Sequence, residues 1–217
     1  VSPCSLEYFD RFSLELLRVK YPNIPSQAEA ALFFEEDVVD QKDYDPKFDV
    51  WINFLTDKNI LMDESWFAQG QKDVQFFHEF RYQIPMLVNE NNSRAGREKM
   101  GTDMAVPDKY FDDMMAFYEK TLFGKGLPYV IFGHLGDNHL HINLLPDSSQ
   151  QKLAKSLYDE LARKIISWKG TVSAEHGIGK KKKKYFHEMV GEKSIADLKK
   201  IKNALDPQVR LGNGNIL

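Results

Sequence analysis

The chain has 217 residues, a formal net charge of −3 and a hydrophobic content of 42%. A compact chain of this length buries about 70% of its unfolded surface, so its core needs no cross-links. The single cysteine excludes an internal disulfide and fits a reducing compartment. No apolar run approaches a membrane span, and the mixed charge gives no reason to expect nucleic acid as a partner. We therefore predict a cytoplasmic location, with attachment at the periphery of a membrane left open.

Hydrophobic periodicity predicts helices and strands that alternate along the chain. The predicted helices are residues 5–20, 45–55, 73–80, 108–122 and 148–168, with a mostly helical remainder up to residue 206. The predicted strands are residues 28–35, 59–63, 102–106, 129–133, 139–145 and 171–174. Residues 89–101 are polar and lack a hydrophobic period, which predicts a mobile loop.

Short connections between consecutive strands decide the fold class. Only five residues separate Gly133 from His139, and a parallel crossover needs a dozen or more. We therefore predict an α+β fold in which helices pack on one face of an antiparallel sheet, followed by a helical C-terminal region.

The segment FGHLGDNHLHIN carries three of the six histidines, namely His134, His139 and His141. Side chains alternate along a strand, so His139, His141 and Asn143 share one face. A tight turn would fold His134 back towards His141, and two converging imidazoles are good ligands for zinc or manganese. The alternative is a half-buried strand whose polar residues face water, and the residues alone leave both interpretations open.

The segment SAEHGIG places a carboxylate beside an imidazole, at Glu175 and His176. Glu175 could be a third ligand that leaves positions open for substrate, as in catalytic metal sites. The two side chains share a pocket only if the backbone bends there. The alternative is a glycine-rich turn that precedes the lysines at 180–184, which we predict to form a solvated helix face.

Two further cations could bind an acid. Arg81 lies at the end of a predicted helix, where its guanidinium could clasp a carboxylate with a bond of about 1.5–3 kcal/mol. Lys99 borders the predicted polar loop. The alternative for each is an ordinary surface charge.

FGHLGDNHLHIN and SAEHGIGKKKKKYF resemble the two signatures of the C-terminal domain of FAD-linked 2-hydroxy acid oxidoreductases. That family includes D-lactate dehydrogenases, the glycolate oxidase flavoprotein subunit and D-2-hydroxyglutarate dehydrogenase. Arg81 with Ile84-Pro85, the segment DMAVP at 103–107 and the closing LDP at 205–207 also resemble family segments. Two features depart from the pattern: Asn138-His139 replaces a Gly-Asn pair, and LGNGN at 211–215 replaces Leu-Asn-Pro-Gly-Lys.

The resemblance implies that residues 1–217 form a ferredoxin-like cap domain that binds substrate. In the family a separate domain that precedes this region holds most of the FAD, and nothing like it occurs in these residues. We therefore expect a fragment of a flavoenzyme whose partner is the FAD-binding domain, and which is inactive without it.

The resemblance also implies individual roles. His134, His141 and Glu175 match the ligands of a divalent metal, which we expect to be zinc or manganese. His176 matches the general base. Arg81 and Lys99 would bind substrate carboxylates, and Asn143 would orient the hydroxyl or oxo oxygen.

The leading hypothesis is an FAD-dependent dehydrogenase that oxidises a D-2-hydroxy acid of the lactate, glycolate or 2-hydroxyglutarate type to the 2-oxo acid. A second hypothesis is a metal-dependent hydrolase with the same His/His/Glu centre. A third is a non-catalytic remnant.

Overall fold

A computed structural model describes residues 3–56, 58, 60–68 and 70–217. The chain divides into two compact units. Unit 1 contains the described residues up to Gly96 together with Val130–Gly136, and unit 2 contains Arg97–Tyr129 and Asp137–Leu217.

Strands and helices are interspersed along the chain. The strands are β1 (Ser5–Asp10), β2 (Ala30–Glu35), β3 (Met100–Gly101), β4 (Met104–Ala105), β5 (Tyr129–His134) and β6 (His139–Leu144). The helices are α1 (Arg11–Arg18), α2 (Tyr44–Thr56), α3 (Gln71–Arg81), α4 (Gln83–Arg94), α5 (Phe111–Leu122), α6 (Gln151–Ser167) and α7 (Lys183–Leu205). The strand pairings within each unit are antiparallel, which confirms the predicted α+β class.

In unit 1, β1 pairs with β2 on one side and with β5 on the other. Asp10 ends β1 and starts α1, because its Oδ1 accepts a 2.8 Å hydrogen bond from the backbone N–H of Ser13. The predicted helix over 5–20 is therefore wrong in its first part. Pairing on both sides satisfies the backbone of β1, and this tertiary contact outweighs the helical spacing of its apolar residues.

The predicted loop at 89–101 is wrong at both ends, because α4 continues to Arg94 and Met100–Gly101 form β3. Ile84, Val88 and Asn92 are buried at intervals of four residues, which places them on one helix face. Pro85 lies in the first turn, where its missing N–H costs no intrahelical hydrogen bond. Of the predicted strand at 59–63, residue 59 lies outside the described residues and Met62–Glu64 form a 3-10 turn, so this prediction is also wrong.

In unit 2, β6 pairs with β3 near its end and with β4 near its start. All six residues of β6 are buried. Its apolar side chains join a core that is completed by α5, α6 and β4. That core includes Met104, Met114, Tyr118, Leu140, Ile142, Leu144, Leu161 and Ile165.

Of the predicted strand at 102–106, only Met104–Ala105 form a strand, which is β4. Of the predicted strand at 171–174, only Thr171 is paired, through a bridge to Ala105. The remainder is helical as predicted from Lys183, with a break at Gly191, whose φ is +78°. Among the helices described, none is long and apolar enough to cross a membrane.

Candidate active site

The polar face of β6 is as closed to solvent as its apolar face. His139, His141 and Asn143 are 4%, 7% and 5% exposed, and they alternate with apolar core residues as the sequence predicts. The alternative of polar residues facing water is therefore wrong. Burying two imidazoles and an amide is costly unless they have partners or a ligand.

His141 is held as a neutral imidazole. Burial lowers its pKa to about 4, and the neighbouring His139 adds to this effect. Its Nδ1 faces the carbonyl oxygen of Thr102 at 3.3 Å, which favours the tautomer with the proton on Nδ1. The lone pair on Nε2 then points towards Glu175, whose Oε1 is 3.1 Å away.

Glu175 and His176 lie on a bend rather than on a strand. As a result both side chains turn to the same side, and His176 Nε2 lies 3.0 Å from Glu175 Oε1. The ring of His176 stacks on the ring of His141 with centroids 5.0 Å apart. Adjacent residues could share a pocket only if the backbone bends, and this bend is present at Glu175 and His176. The side chains of Glu175 and His176 are 43% and 58% exposed, so a ligand can reach them.

Asp103, which is not among the site residues predicted from the sequence, lies beneath this bend and is 1% exposed. Burial alone would raise its pKa, but hydrogen bonds from Lys182 and from the backbone of His176 and Glu175 outweigh burial. These donors hold the pKa of Asp103 well below its usual range. Asp103 is therefore a carboxylate at neutral pH.

The predicted solvated lysine face is wrong in part. Lys182 is only 12% exposed, and its Nζ lies 2.6 Å from Asp103 Oδ2. Lys184 pairs with Asp159 at 2.5 Å. The second signature that the chain resembles runs Glu-His-Gly-x-Gly-x-x-Lys-x-x-Tyr. Lys182 matches its lysine, and this match is the sequence signal that separates Lys182 from the neighbouring lysines.

Asn143 lies in the part of β6 that pairs with β3, and Lys99 immediately precedes β3. Asn143 pairs with Gly101, and a Cβ at Gly101 would lie 2.8 Å from Asn143 Oδ1. A side chain larger than glycine at position 101 would therefore displace the Asn143 amide. Lys99 is partly buried, and burial lowers its pKa. It has no hydrogen-bond or ion-pair partner in the described parts of the chain. Partial burial and the lack of a protein partner suit an ammonium that binds an anionic ligand.

Two predicted site residues belong to unit 1. His134 ends β5 and is paired in register with Glu7, and its Nδ1 lies 2.9 Å from Glu7 Oε1. The same oxygen lies 2.5 Å from a terminal nitrogen of Arg81. The carboxylate that Arg81 contacts in the structure is thus the protein's own.

The donors of unit 2 fit a divalent ion. One ligand atom each from Asp103, His141, Glu175 and His176 lies within 4.8 Å of the others. The distance of 3.1 Å from Glu175 Oε1 to His141 Nε2 is close to the roughly 3.3 Å between ligand atoms of a tetrahedral zinc site. Asp103 is not a candidate ligand, because its oxygens already accept several hydrogen bonds.

Comparison with known proteins identifies the family. A family model described as FAD linked oxidases, C-terminal domain, matches residues 1–216. The chain belongs to this family. The resemblance that the two histidine signatures indicated is therefore confirmed.

Curated members of the FAD linked oxidases align with parts of the chain. A mitochondrial D-lactate dehydrogenase (cytochrome) of Kluyveromyces lactis is 35% identical over 107 residues, which cover 49% of this chain and 19% of the relative. A D-2-hydroxyglutarate dehydrogenase of Xanthomonas citri is 40% identical over 92 residues, covering 40% of this chain and 20% of the relative. A D-2-hydroxyglutarate–pyruvate transhydrogenase of Saccharomyces cerevisiae is 27% identical over 216 residues, covering 94% and 42%. The chain thus spans less than half the length of these relatives. The predicted cytoplasmic location stays a prediction.

Proposed function

We propose that this chain is the substrate-binding and catalytic domain of an FAD-dependent dehydrogenase that oxidises a D-2-hydroxy acid to the 2-oxo acid. The observation that carries the proposal is the cluster of His141, Glu175 and His176 in a chain of the FAD linked oxidase family. The names of the similar dehydrogenases suggest lactate or 2-hydroxyglutarate as the substrate class.

His141 and Glu175 are the proposed metal ligands in unit 2. His141 supplies a neutral Nε2 and Glu175 a carboxylate oxygen. His134 is the proposed third ligand, on the strength of the family signature and its spacing of seven residues from His141. A divalent ion at such a site supplies Lewis acidity that favours ionisation of the substrate hydroxyl.

His176 is the proposed general base. Its exposed imidazole stacks beside His141, and its Nε2 faces the Glu175 carboxylate. It would accept the hydroxyl proton at Nε2 while the hydride on the α-carbon leaves. FAD bound by a partner domain would supply the acceptor for that hydride. Loss of one proton and one hydride converts the hydroxy acid to the oxo acid.

Lys99 and Arg81 are the proposed carboxylate binders, and Asn143 the residue that orients the reacting oxygen. The partly buried ammonium of Lys99 has the environment for an anion. Arg81 has five N–H donors, so its contact with Glu7 leaves others for a substrate carboxylate. The buried amide of Asn143 lies on the same strand face as His141.

The test is dye reduction by the full-length protein that contains this chain, loaded with FAD and zinc or manganese. D-lactate, D-2-hydroxyglutarate and glycolate are compared with the L-enantiomers of the first two. We expect reduction with at least one D-acid or glycolate, and a loss of about 10²–10⁴ in kcat for His176→Gln. No reduction with any of these acids, or ester hydrolysis that is lost on chelation, would contradict the proposal.

A further inference from the structure

The Glu175–His176 bend has little regular structure of its own. Its chain is tied to the residues around β4 by three backbone hydrogen bonds. Ala105 and Thr171 exchange two of them, at 3.1 and 2.9 Å, and the N–H of Ala174 donates the third to the carbonyl of Asp103 at 3.1 Å. Beyond Ala174, the backbone N–H groups of Glu175 and His176 donate to the side chain of Asp103 instead.

Asp103 accepts hydrogen bonds from three parts of unit 2, namely β6, the segment 173–176 and Lys182. Its Oδ1 lies 2.9 Å from His139 Nε2 and accepts a bond of 3.2 Å from the N–H of Glu175. Its Oδ2 accepts bonds from Ser173 Oγ, the N–H of His176 and Lys182 Nζ, at 3.0, 2.9 and 2.6 Å. The carboxylate thus accepts the backbone hydrogen bonds of the bend, as the carbonyl groups of a neighbouring strand would do in a sheet.

Lys182 compensates the buried charge of Asp103. Its Nζ also donates to Ser173 Oγ at 3.0 Å, so the ammonium is held at two points. A buried ion pair of this kind contributes little net stability, because desolvation offsets the attraction. The main effect of the ion pair is therefore the geometry that it imposes on the bend.

His139 adds a contact at a position that departs from the family signature. It stands where the family signature has asparagine, and its buried ring lies 4.5 Å from the ring of His141 between centroids. Its contact with Asp103 Oδ1 links β6, the strand of His141, to the carboxylate that binds the backbone of the bend.

We infer that Asp103, with Lys182 as its counter-charge, is the positioning residue that fixes the Glu175–His176 bend against His141. Its effect on turnover rests on the proposed function, whereas its effect on the bend does not. An amide in place of the carboxylate cannot satisfy both oxygens' donors, because its NH₂ group would face N–H or ammonium groups on one side. The Glu175 and His176 side chains then lose their fixed direction.

The decisive readout is amide hydrogen exchange at Glu175 and His176 in the full-length protein, compared between wild type and Asp103→Asn. We expect exchange at these two amides to be about 10- to 100-fold faster in the variant, as loss of charge-assisted hydrogen bonds implies. Asp206→Asn is the matched control. Asp206 likewise accepts from a lysine, Lys202, and from two backbone N–H groups, those of Arg210 and Leu211. Equal exchange at Glu175 and His176 in wild type, Asp103→Asn and Asp206→Asn would overturn the inference.

A second pair of variants covers misfolding of Asp103→Asn. Lys182→Met should accelerate exchange at the same amides, and Lys182→Arg should restore protection, while the amides of Leu140 and Ile142 in β6 stay protected in both. Zn²⁺ alone, titrated into the same proteins, should bind about 10- to 100-fold more weakly to Lys182→Met than to wild type. If wild type binds no Zn²⁺ and oxidises no acid, the proposed function fails, and the exchange data still decide the role of Asp103. Unchanged exchange in a folded Lys182→Met protein would contradict it.

Discussion

Asp10 provides a quantitative test of the structure of unit 1. Its side chain caps α1 by accepting from Ser13, and the residue is 7% exposed. Burial raises its pKa from 3.8 to about 6, although the hydrogen bonds from Ser13 act in the opposite direction. Because the folded-state pKa is the higher one, the folded chain binds more protons between these two values. The free energy of unfolding should therefore fall as the pH rises from about 4 to about 6.

The size of this fall follows from the shift. A difference of about 2 pKa units, at 1.36 kcal/mol per unit, corresponds to about 3 kcal/mol. The contribution is fully present below about pH 4, is lost by about pH 6, and does not return at higher pH. Asp10→Asn keeps a good capping residue and removes the titration.

The assay is urea unfolding of wild type and Asp10→Asn across this pH range, together with NMR titration of the Asp10 carboxyl carbon. The difference in unfolding free energy should change by about 3 kcal/mol between pH 4 and pH 7, whatever constant offset the amide introduces. Asp63→Asn is the control, because Asp63 is exposed and the substitution removes the same charge. A carboxyl that titrates near pH 4, with a flat difference between the two proteins, would refute this reasoning.

Three substitutions test the packing around the site. Gly170→Ala would place a Cβ 2.4 Å from the carbonyl oxygen of Ala105 and 2.8 Å from Ile165 Cγ2, so we expect a loss of about 1–3 kcal/mol in urea unfolding. Gly70→Ala, whose Cβ meets nothing within 4 Å, should cost much less, and equal losses would contradict the packing. Gly101→Ala displaces the Asn143 amide, so kcat/KM in the dye assay should fall about 10- to 100-fold, and an unchanged value would separate Asn143 from the reaction. Glu7→Gln weakens two charge-assisted contacts of a side chain that is 6% exposed, so unfolding free energy should fall by about 1–3 kcal/mol. A fall within error of zero would argue against the Glu7 contacts.

The sequence is sufficient to predict features that are set by local pattern. Alternation in HLHINL predicts β6 with His139, His141 and Asn143 on one face, and the structure confirms it. The two adjacent residues Glu175 and His176 could share a pocket only through a bend, and the bend is present. These inferences need only the period of a strand and the direction of its side chains.

Features that depend on distant partners are not predictable in this way. Asp103 and the segment that it holds are about 70 residues apart in sequence, and nothing near Asp103 shows that its carboxylate is buried. Lys182 lies within a run of five lysines, and neither its charge nor its immediate neighbours show that it contacts Asp103. The sequence of β1 likewise predicts a helix, because the pairing with β2 and β5 that makes it a strand depends on distant residues.

The central claim is that this chain binds and activates a D-2-hydroxy acid for hydride transfer to FAD. Anaerobic mixing of the FAD-loaded, full-length protein with D-lactate or D-2-hydroxyglutarate, followed by the visible absorption of the flavin, tests it most directly. We predict that one of these acids bleaches the flavin in wild type. Glu175→Gln should slow bleaching at least about 100-fold, because it replaces a proposed carboxylate ligand with a neutral amide. A flavin that stays oxidised with both acids, or equal bleaching rates in wild type and Glu175→Gln, would contradict the claim.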